Sequence, residues 1–580
     1  MDTIPALLAA RLRAILPEAD PRVSPATDPR FGDYQTNVAM VQARLQRTNP
    51  RLLAQTIIDQ LDVADLCDPP ETAGAGFINF RLRPDWLAER FRELSRDERL
   101  GVPPPATPRR FVIDFSGPNV AKPMHIGHIR STILGDALAR IASFIGHEVV
   151  RDNHIGDWGT QFGMLLAGWK GELDREALAA DPLTEMERIY KLISARSKTD
   201  PATLGQVHQE LVKLQSGDEE NLRLWHEMIR LSQAQFDSIY TRLDIRFDVS
   251  LGESFYNPRL KPIVQDLQQK GIARESDGAL CVFSDGATAP EQDPFLVMDK
   301  DGWRPNPALV QKSDGASNYT TTDLATLQYR QETWQPTDIL YVTDGRQQLH
   351  FRQLFAITQR WQPQTARLTH VWFGAILGDD GTPFKTRSGD TIRLRDLLDE
   401  AEERAHAIVT SKNPDVPEAE RRGIARIVGL GAIKYADLLP NRQSDYTFSW
   451  DKMLALTGNT APYLQYSYVR IRSIFRKAEA SGKDLGGGDY LWPEPAEQLL
   501  AKKLLQFGEA VPQVLEDFRP NQLATYLFEL AGTFHSFFEA CPVLKAEEPI
   551  RTGRLLLCDT TARALKTGLG LLGIEVPERM

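Results

Sequence analysis

Phe111-Val-Ile-Asp-Phe-Ser116, running into Gly117-Pro-Asn-Val-Ala-Lys-Pro-Met-His125-Ile-Gly-His128, is the stretch on which the fold turns. Its first half is a short apolar run with the length and composition of a buried strand. Beyond the loop, Ile129, Ile133, Ala137, Ile141 and Phe144 recur at helical spacing, and Glu148-Val-Val150 starts a second apolar run. Strand, loop, helix and strand make a βαβ unit, which implies a parallel sheet. Strand signals return at Asp338-Ile-Leu-Tyr-Val342 and His370-Val-Trp-Phe373, so the sheet resumes after a long insertion at about 170–313. That insertion holds a charged helical stretch near Glu185 to Leu243 and a strand-like stretch near Ala279 to Met298.

Upstream, residues 1–108 combine a helical start, a loop from Pro21 to Gly32, a helical stretch near Asn37 to Leu61 and an alternating run, Phe77-Ile-Asn-Phe-Arg-Leu82. They end at Gly101-Val-Pro-Pro-Pro-Ala-Thr-Pro108, a stiff linker incompatible with a helix. From about 400 onward the pattern is almost wholly helical, with Gly482 to Gly488 read as its one obvious loop. A chain of 580 residues exceeds the roughly 250 to 300 residues at which one hydrophobic core stops growing. The expected fold is therefore α/β, with three domains: a Rossmann-type parallel-sheet core with insertions (109–400), a small α/β N-terminal domain (1–108) and an α-helical C-terminal bundle (401–580).

Composition narrows the function. With 42% hydrophobic and 25% charged residues, and no apolar run near the ~20 residues that span a bilayer, a membrane protein is not expected. The N-terminus, interrupted by Arg11 and Arg13, lacks the pattern of a secretory signal, which points to the cytoplasm. Cys67, Cys281, Cys541 and Cys558 are scattered, so no structural metal is expected and they read as buried small hydrophobes. A net charge of −10 argues against indiscriminate polyanion binding, but a local basic stripe would suffice for phosphate contacts.

The loop after the first strand lies where open parallel sheets bind ligands, at a helix N-terminus whose free N–H groups and dipole attract phosphate. Gly127 would allow close backbone approach to a nucleotide, and His125 and His128 could donate hydrogen bonds to charge developing on a phosphate. The same two histidines read equally as capping or core residues, or as an i,i+3 metal pair. The metal reading needs further ligands, and no Cys/His cluster supplies them.

His125-Ile-Gly-His128 resembles the HIGH signature of class I aminoacyl-tRNA synthetases, and the surrounding DFSGPNVAKPMHIGHIRSTILGDAL is similar to the arginyl branch. The likeness continues in order through Gly156-Asp-Trp-Gly-Thr-Gln-Phe-Gly163, Tyr319-Thr-Thr-Thr-Asp323 and Gly458-Asn-Thr-Ala-Pro-Tyr463. The resemblance implies ATP, with Mg2+, as the activating substrate: the carboxylate of arginine attacks the α-phosphate, pyrophosphate leaves, and arginine passes to the 3′ end of tRNA(Arg). It implies that His125 and His128 stabilise the transition state and that a monomer is the working form.

The family's second signature, KMSKS, corresponds here to Gly381-Thr-Pro-Phe-Lys385-Thr-Arg387-Ser-Gly-Asp390, whose second lysine is missing. Many arginyl enzymes resemble this chain in carrying a lysine just before HIGH instead, which is Lys122. By resemblance Lys122 and Lys385, with Arg387, bracket the triphosphate; the competing reading is that they are solvated surface residues. A guanidinium carries five donors and a permanent charge, so its pocket needs carboxylates and neutral acceptors. Asp114, at the end of the first strand, fits that need, although the family often carries glutamate there. By resemblance Tyr319 and Asp323 complete the side-chain pocket, Asn119 holds the α-amino or carboxylate end, and Gln347 contributes from the loop after Val342. Asp323 also reads as a helix N-cap.

From Lys452 to Ala478 there is no acidic residue, while Lys452, Arg470, Arg472, Arg476 and Lys477 interleave with Tyr463, Tyr466 and Tyr468. Basic groups and aromatic faces are how unpaired nucleic-acid loops are held; the alternative is an amphipathic helix with a tyrosine-lined core. The resemblance favours anticodon-loop contact by Tyr463, Tyr466 and Arg470, and Leu557-Cys-Asp-Thr-Thr-Ala-Arg-Ala-Leu565 resembles the helix that names the anticodon-binding fold. Phe77 and Asn79 resemble the N-terminal residues that touch the tRNA elbow, with core packing as the other reading of Phe77. Two further readings stand: a different HIGH-bearing adenylyl transferase, and a tRNA-binding paralogue that has lost activation.

Overall fold

The computed structural model describes residues 1–26, 28–384, 392–478 and 492–580. Its centre is a five-stranded, wholly parallel sheet: β1 (Arg110–Asp114), β2 (Glu148–Ile155), β3 (Val249–Gly252), β4 (Asp338–Tyr341) and β5 (Arg367–His370), in the order β5-β4-β1-β2-β3. Every residue of β4 is buried, as expected of a strand covered on both faces. The chain builds β1, β2 and β3 in one direction and then crosses to β4 on the other side of β1. Asp114 pairs with Tyr341 across that boundary. The crevice beyond the carboxyl ends of β1 and β4 is thus the switch point at which such sheets bind ligands.

Helix α1 (Ile126–Ile145) connects β1 to β2 and ends at Gly146 in the left-handed region (φ 110°). It is buried nearly all round, polar Ser131, Thr132 and Asp136 included, which makes it a central helix rather than a surface one.

The span read as one insertion is divided, because Val249–Gly252 returns to the central sheet as its edge strand β3. Before it, the charged helical stretch is several helices, among them α2 (Pro182–Ser197), Pro201–Ser216 and α3 (Glu219–Arg242). The breaks have local causes: the side chains of Asp181, Asp200 and Asp218 cap the three N-termini, prolines open the first two, and Gly217 closes the second at φ 87°. After it, the strand-like stretch resolves into Ala279–Val282 in a three-stranded antiparallel sheet and Leu296–Asp299 in a separate hairpin. Beyond the hairpin the chain enters helix α4 (Tyr319–Trp334), and helix α5 (Gln348–Trp361) lies between β4 and β5.

The N-terminal sheet has the strand order Val23–Pro25, Tyr34–Thr36, Phe77–Phe80, Glu71–Ala73. The single helical stretch expected over Asn37 to Leu61 is two helices, Val38–Gln46 and Pro50–Gln60, divided where Arg47 turns left-handed and Asn49 caps the second. The C-terminal part is a helical bundle that includes α6 (Ala461–Ala478), Asn521–Ala540 and Ile550–Leu571. The two terminal regions touch: the Tyr34 hydroxyl donates to Glu509 at 2.7 Å and Lys502 pairs with Asp33 at 2.7 Å. The glycine-rich stretch Gly482 to Gly488 lies outside the described residues. All four cysteines are buried and unbridged.

Candidate active site

The site begins with how α1 starts. His125 is its N-cap, and its Nδ1 accepts the backbone N–H of Gly127 at 3.1 Å. The Nδ1 of His128 accepts the backbone N–H of His125, also at 3.1 Å. Each imidazole thus satisfies an N–H that the helix leaves orphaned. The ring centroids lie 4.0 Å apart. Burial, then the charge of Lys122, lowers the pKa of His125, and burial, then His125, pushes that of His128 down to about 3. Both rings are therefore neutral at pH 7. With Nδ1 accepting, the proton sits on Nε2, which leaves each histidine one N–H to offer. The capping reading holds, and it leaves the Nε2–H of each ring unused by the cap.

Gly127 serves this arrangement directly: a Cβ there would lie 2.8 Å from Cε1 of the His125 ring. Upstream, the loop is held by backbone and hydroxyl bonds. Ser116 (φ 74°) and Ala121 (φ 62°) occupy the left-handed region, and the Ala121 N–H donates to Ser232 Oγ of α3 at 3.0 Å. Asn119 forms a parallel bridge with Gly156, where a Cβ would lie 2.2 Å from Asn119 Oδ1. The first glycine of Gly156-Asp-Trp-Gly is what lets the asparagine seat there.

Two cavities meet at the start of α1. One, of about 590 Å³, is lined by Asp114, Asn119, His128, Glu253, Tyr319, Asp323, Gln347 and His350 among others. The other, of about 700 Å³, is lined by Arg130, Trp372, Phe373, Ile376, Pro383 and Phe384 among others. His125 and Gly127 line both. All five residues expected to hold the amino acid, Asp114, Asn119, Tyr319, Asp323 and Gln347, thus face one space with His125, Gly127 and His128. That space is acidic, and the adjoining one is mainly apolar and aromatic, with Arg130, Asp344, Arg346 and Asp445 also in its lining.

The acids differ in what they are free to do. Arg330, buried completely, donates through Nη2 to Asp114 at 2.7 Å and through Nε to Asp152 at 2.8 Å. Burial opposes its charge, but the two carboxylates outweigh that and raise its pKa. Asp114 therefore spends one oxygen on an internal guanidinium. Asp323 meets His350 Nε2 at 2.5 Å. Burial would lower the His350 pKa, but the carboxylate prevails and raises it. The N-cap reading of Asp323 is corrected: Asn318 caps α4, and its side chain accepts the N–H of Tyr319. Asp323 lies one turn inside the helix, with its side chain in the pocket. Glu253, just past β3, was missed by sequence reasoning because its strand was hidden in the insertion. Burial first, then Asp323 and Asp157, push its pKa up to about 8. The signal was Val249-Ser-Leu-Gly-Glu253, an apolar alternation ending in an acid.

Lys122 does not line either cavity. It lies close enough to influence His125 and has its ammonium 5.2 Å from the Tyr190 ring centroid. Lys385 and Arg387 lie outside the described residues. The flank that follows them is described: Ile126 N–H donates to Ile392 O at 3.0 Å, and Leu394 N–H to Met124 O at 2.8 Å. Among the described residues no group of three or more His, Cys, Asp or Glu could hold a metal ion, and no helix is long and apolar enough to cross a membrane.

Farther away, Tyr466 is exposed, and Arg470 lies over the rings of Tyr466 (5.6 Å) and Phe538 (5.2 Å). They border a groove of about 710 Å³ that also gathers Arg476, Lys477, Lys545 and Arg579. Tyr463 is half-buried against Phe528, and Tyr468 is buried with its hydroxyl donating to Glu578, so the core reading holds for that tyrosine. In the N-terminal sheet, Phe77 is half-buried and Asn79 is buried.

Residues 93–450 match the family of class I (R) tRNA synthetase catalytic domains, residues 464–580 the DALR anticodon binding domain, and residues 2–82 the arginyl tRNA synthetase N-terminal domain. The chain is 49% identical to an arginine–tRNA ligase of Synechococcus elongatus, covering 100% of this chain and 98% of that one. It is 46% identical to that of Laribacter hongkongensis, over 99% and 98%. Among solved structures, the arginyl-tRNA synthetases of Plasmodium falciparum (TM-score 0.82, 28% identity) and Thermus thermophilus (TM-score 0.83, 26% identity) each align over 100% of both chains.

Proposed function

Since the chain belongs to the family of class I arginyl-tRNA synthetases, we propose how its own residues divide that family's reaction. The enzyme activates arginine with ATP, releases pyrophosphate and charges tRNA with the arginine. The observation that carries the assignment of roles is the position of His125 and Gly127 where an acidic cavity meets a mainly apolar one, with His128 lining the acidic side.

In this reading the guanidinium of arginine enters the acidic cavity. Asp323 and Glu253 supply negative charge, Tyr319 closes one side, and Asn119 and Gln347 hold the α-amino and carboxylate end. Asp114 acts at the edge of the pocket, through its remaining oxygen and by holding Arg330. The adenosine of ATP occupies the aromatic cavity, and its α-phosphate then lies over the N-terminus of α1. There the Nε2–H groups of His125 and His128 meet the charge that grows as the carboxylate attacks, which is electrostatic work at fixed geometry. Lys122, with Lys385 and Arg387, offsets the departing pyrophosphate. Mg2+ arrives with ATP as part of that substrate.

The tRNA(Arg) partner binds through the basic groove beside α6, where Tyr466 offers a stacking face, Arg470 a cation, and Tyr463 the support behind them. Phe77 and Asn79 contribute from the N-terminal sheet. The chain divides into a tRNA-contacting part (1–108), a catalytic part (109–400) whose insertions flank β3, and an anticodon-binding part (401–580). It works as a monomer in the cytoplasm.

The test is ATP–pyrophosphate exchange with each of the twenty amino acids, with and without tRNA. Exchange stimulated by arginine alone supports the reading, and exchange with another amino acid or none refutes it. Lys122→Ala at parental exchange rate would remove the lysine from the triphosphate site.

A further inference from the structure

Lys122 stands on a pinned piece of backbone. The preceding residue, Ala121, sits at φ 62° with its N–H bonded to Ser232 of α3. Beyond that point a lysine has a long flexible stem, and placing its charge costs side-chain entropy unless something receives the ammonium. Among the described residues it has no carboxylate partner; the group it meets is the ring of Tyr190, 5.2 Å away, on α2 of the insertion. A carboxylate would hold the ammonium by neutralising it. An aromatic face holds it and leaves its charge available to a phosphate.

The same helix also holds Arg393, which follows the second-signature residues in the chain: Arg393 donates to Thr184 Oγ1 at 2.7 Å and to Glu187 at 3.2 Å. Thr184, Glu187 and Tyr190 recur every third residue, which places them along one side of α2. Tyr190 itself is half-buried against the main core, so its ring has a fixed base.

We propose that Tyr190 is a positioning residue for Lys122: its ring, carried by the insertion, holds the lysine ammonium in place for the triphosphate without neutralising it. The proposal rests on the reading that Lys122 engages the triphosphate, and the test separates the two. Tyr190→Leu keeps an apolar side chain but removes the π face, whereas Tyr190→Phe keeps the face. In ATP–pyrophosphate exchange with tRNA present, Tyr190→Leu should lower kcat roughly three- to tenfold with the KM for arginine unmoved. Tyr190→Phe should stay within about twofold of the parent. In a Lys122→Ala background, Tyr190→Leu should cost nothing further, because the partner it acts through is gone.

Multiplying losses in the double variant would overturn the proposal, since they would mark a structural effect independent of the lysine. So would a Phe variant as poor as the Leu variant. If Lys122→Ala is impaired and Tyr190→Leu is not, the proposal alone falls. If Lys122→Ala is itself unimpaired, the underlying reading falls and the proposal with it.

Discussion

The backbone N–H of His125 donates to Nδ1 of His128 at 3.1 Å, so the helix start and the chemistry of the second histidine are set by one hydrogen bond. That bond fixes the tautomer, and the tautomer decides which nitrogen faces the substrates. The two functions can be separated by substitution. In His128→Asn the amide oxygen can still accept the His125 N–H, but nothing reaches the position of Nε2. The variant should melt close to the parent while kcat for ATP–pyrophosphate exchange falls about 100- to 1,000-fold, the usual cost of one oxyanion donor. His128→Ala should lose the cap as well, about 1 kcal/mol, visible as a lower Tm.

The pH dependence of stability carries the same signature. The folded-state pKa of His128, about 3, is below its ordinary value of 6.5, so the unfolded chain takes up the proton first as pH falls. Stability from this group is complete above pH ~6.5 and is lost progressively below it, by about 2 kcal/mol at pH 5. Denaturant titrations from pH 8 to pH 5 should show that decline, and the decline should be shallower in His128→Asn.

Glu253 makes a second pH prediction, in binding. With its pKa near 8, the free enzyme at pH 7 holds this carboxyl mostly protonated, and a bound guanidinium favours the ionised form. Arginine binding should therefore release a proton at pH 7, and the KM for arginine should fall as pH rises towards 8, by up to about tenfold per unit at the steepest. Calorimetry in two buffers of different ionisation enthalpy measures the proton directly. Glu253→Gln should abolish both the release and the slope; a pH-independent KM in the parent would remove Glu253 from the pocket.

Asp114 and Asp323 should part company under mutation. Asp323→Ala removes a carboxylate whose described partner is His350, so the KM for arginine should rise by at least about tenfold with Tm little changed. Asp114→Asn weakens the hold on fully buried Arg330. Because Asp152 remains, the cost should fall near the lower end of the about 3–5 kcal/mol typical of breaking a buried pair. Thermal melts and arginine saturation curves on the two variants distinguish a pocket acid from a framework acid.

For tRNA, Arg470→Ala should raise the KM in aminoacylation and reduce the slope of log K against log salt by about one, as expected of one lost phosphate contact. Tyr466→Ala should raise the KM with the salt slope unchanged, because stacking carries no counterion release. Equal salt slopes in both variants would assign Arg470 to packing on Phe538 instead.

The strand-loop-helix unit was readable from the chain because each of its parts is local. An apolar run of strand length, a loop and a helical period are properties of neighbouring residues, and so were the N-terminal run Phe77–Phe80 and the helical C-terminal third. Boundaries failed where short-range signals were overridden or overlooked. Asn49-Pro50 divides one helical pattern into two, and Val249–Gly252, too short to be recognised within a charged insertion, proved to be an edge strand because β2 offered it a partner.

By itself the sequence determined the parallel fold, the order of the site motifs and the residue types that a charged substrate and a triphosphate require. Only tertiary structure decided their states. Whether Asp114 is free depends on Arg330, more than two hundred residues away; whether Glu253 is charged depends on burial beside Asp323 and Asp157. The proton on each histidine depends on which backbone N–H its ring meets. Burial and pairing are sums over neighbours in space, and no pattern along the chain contains them.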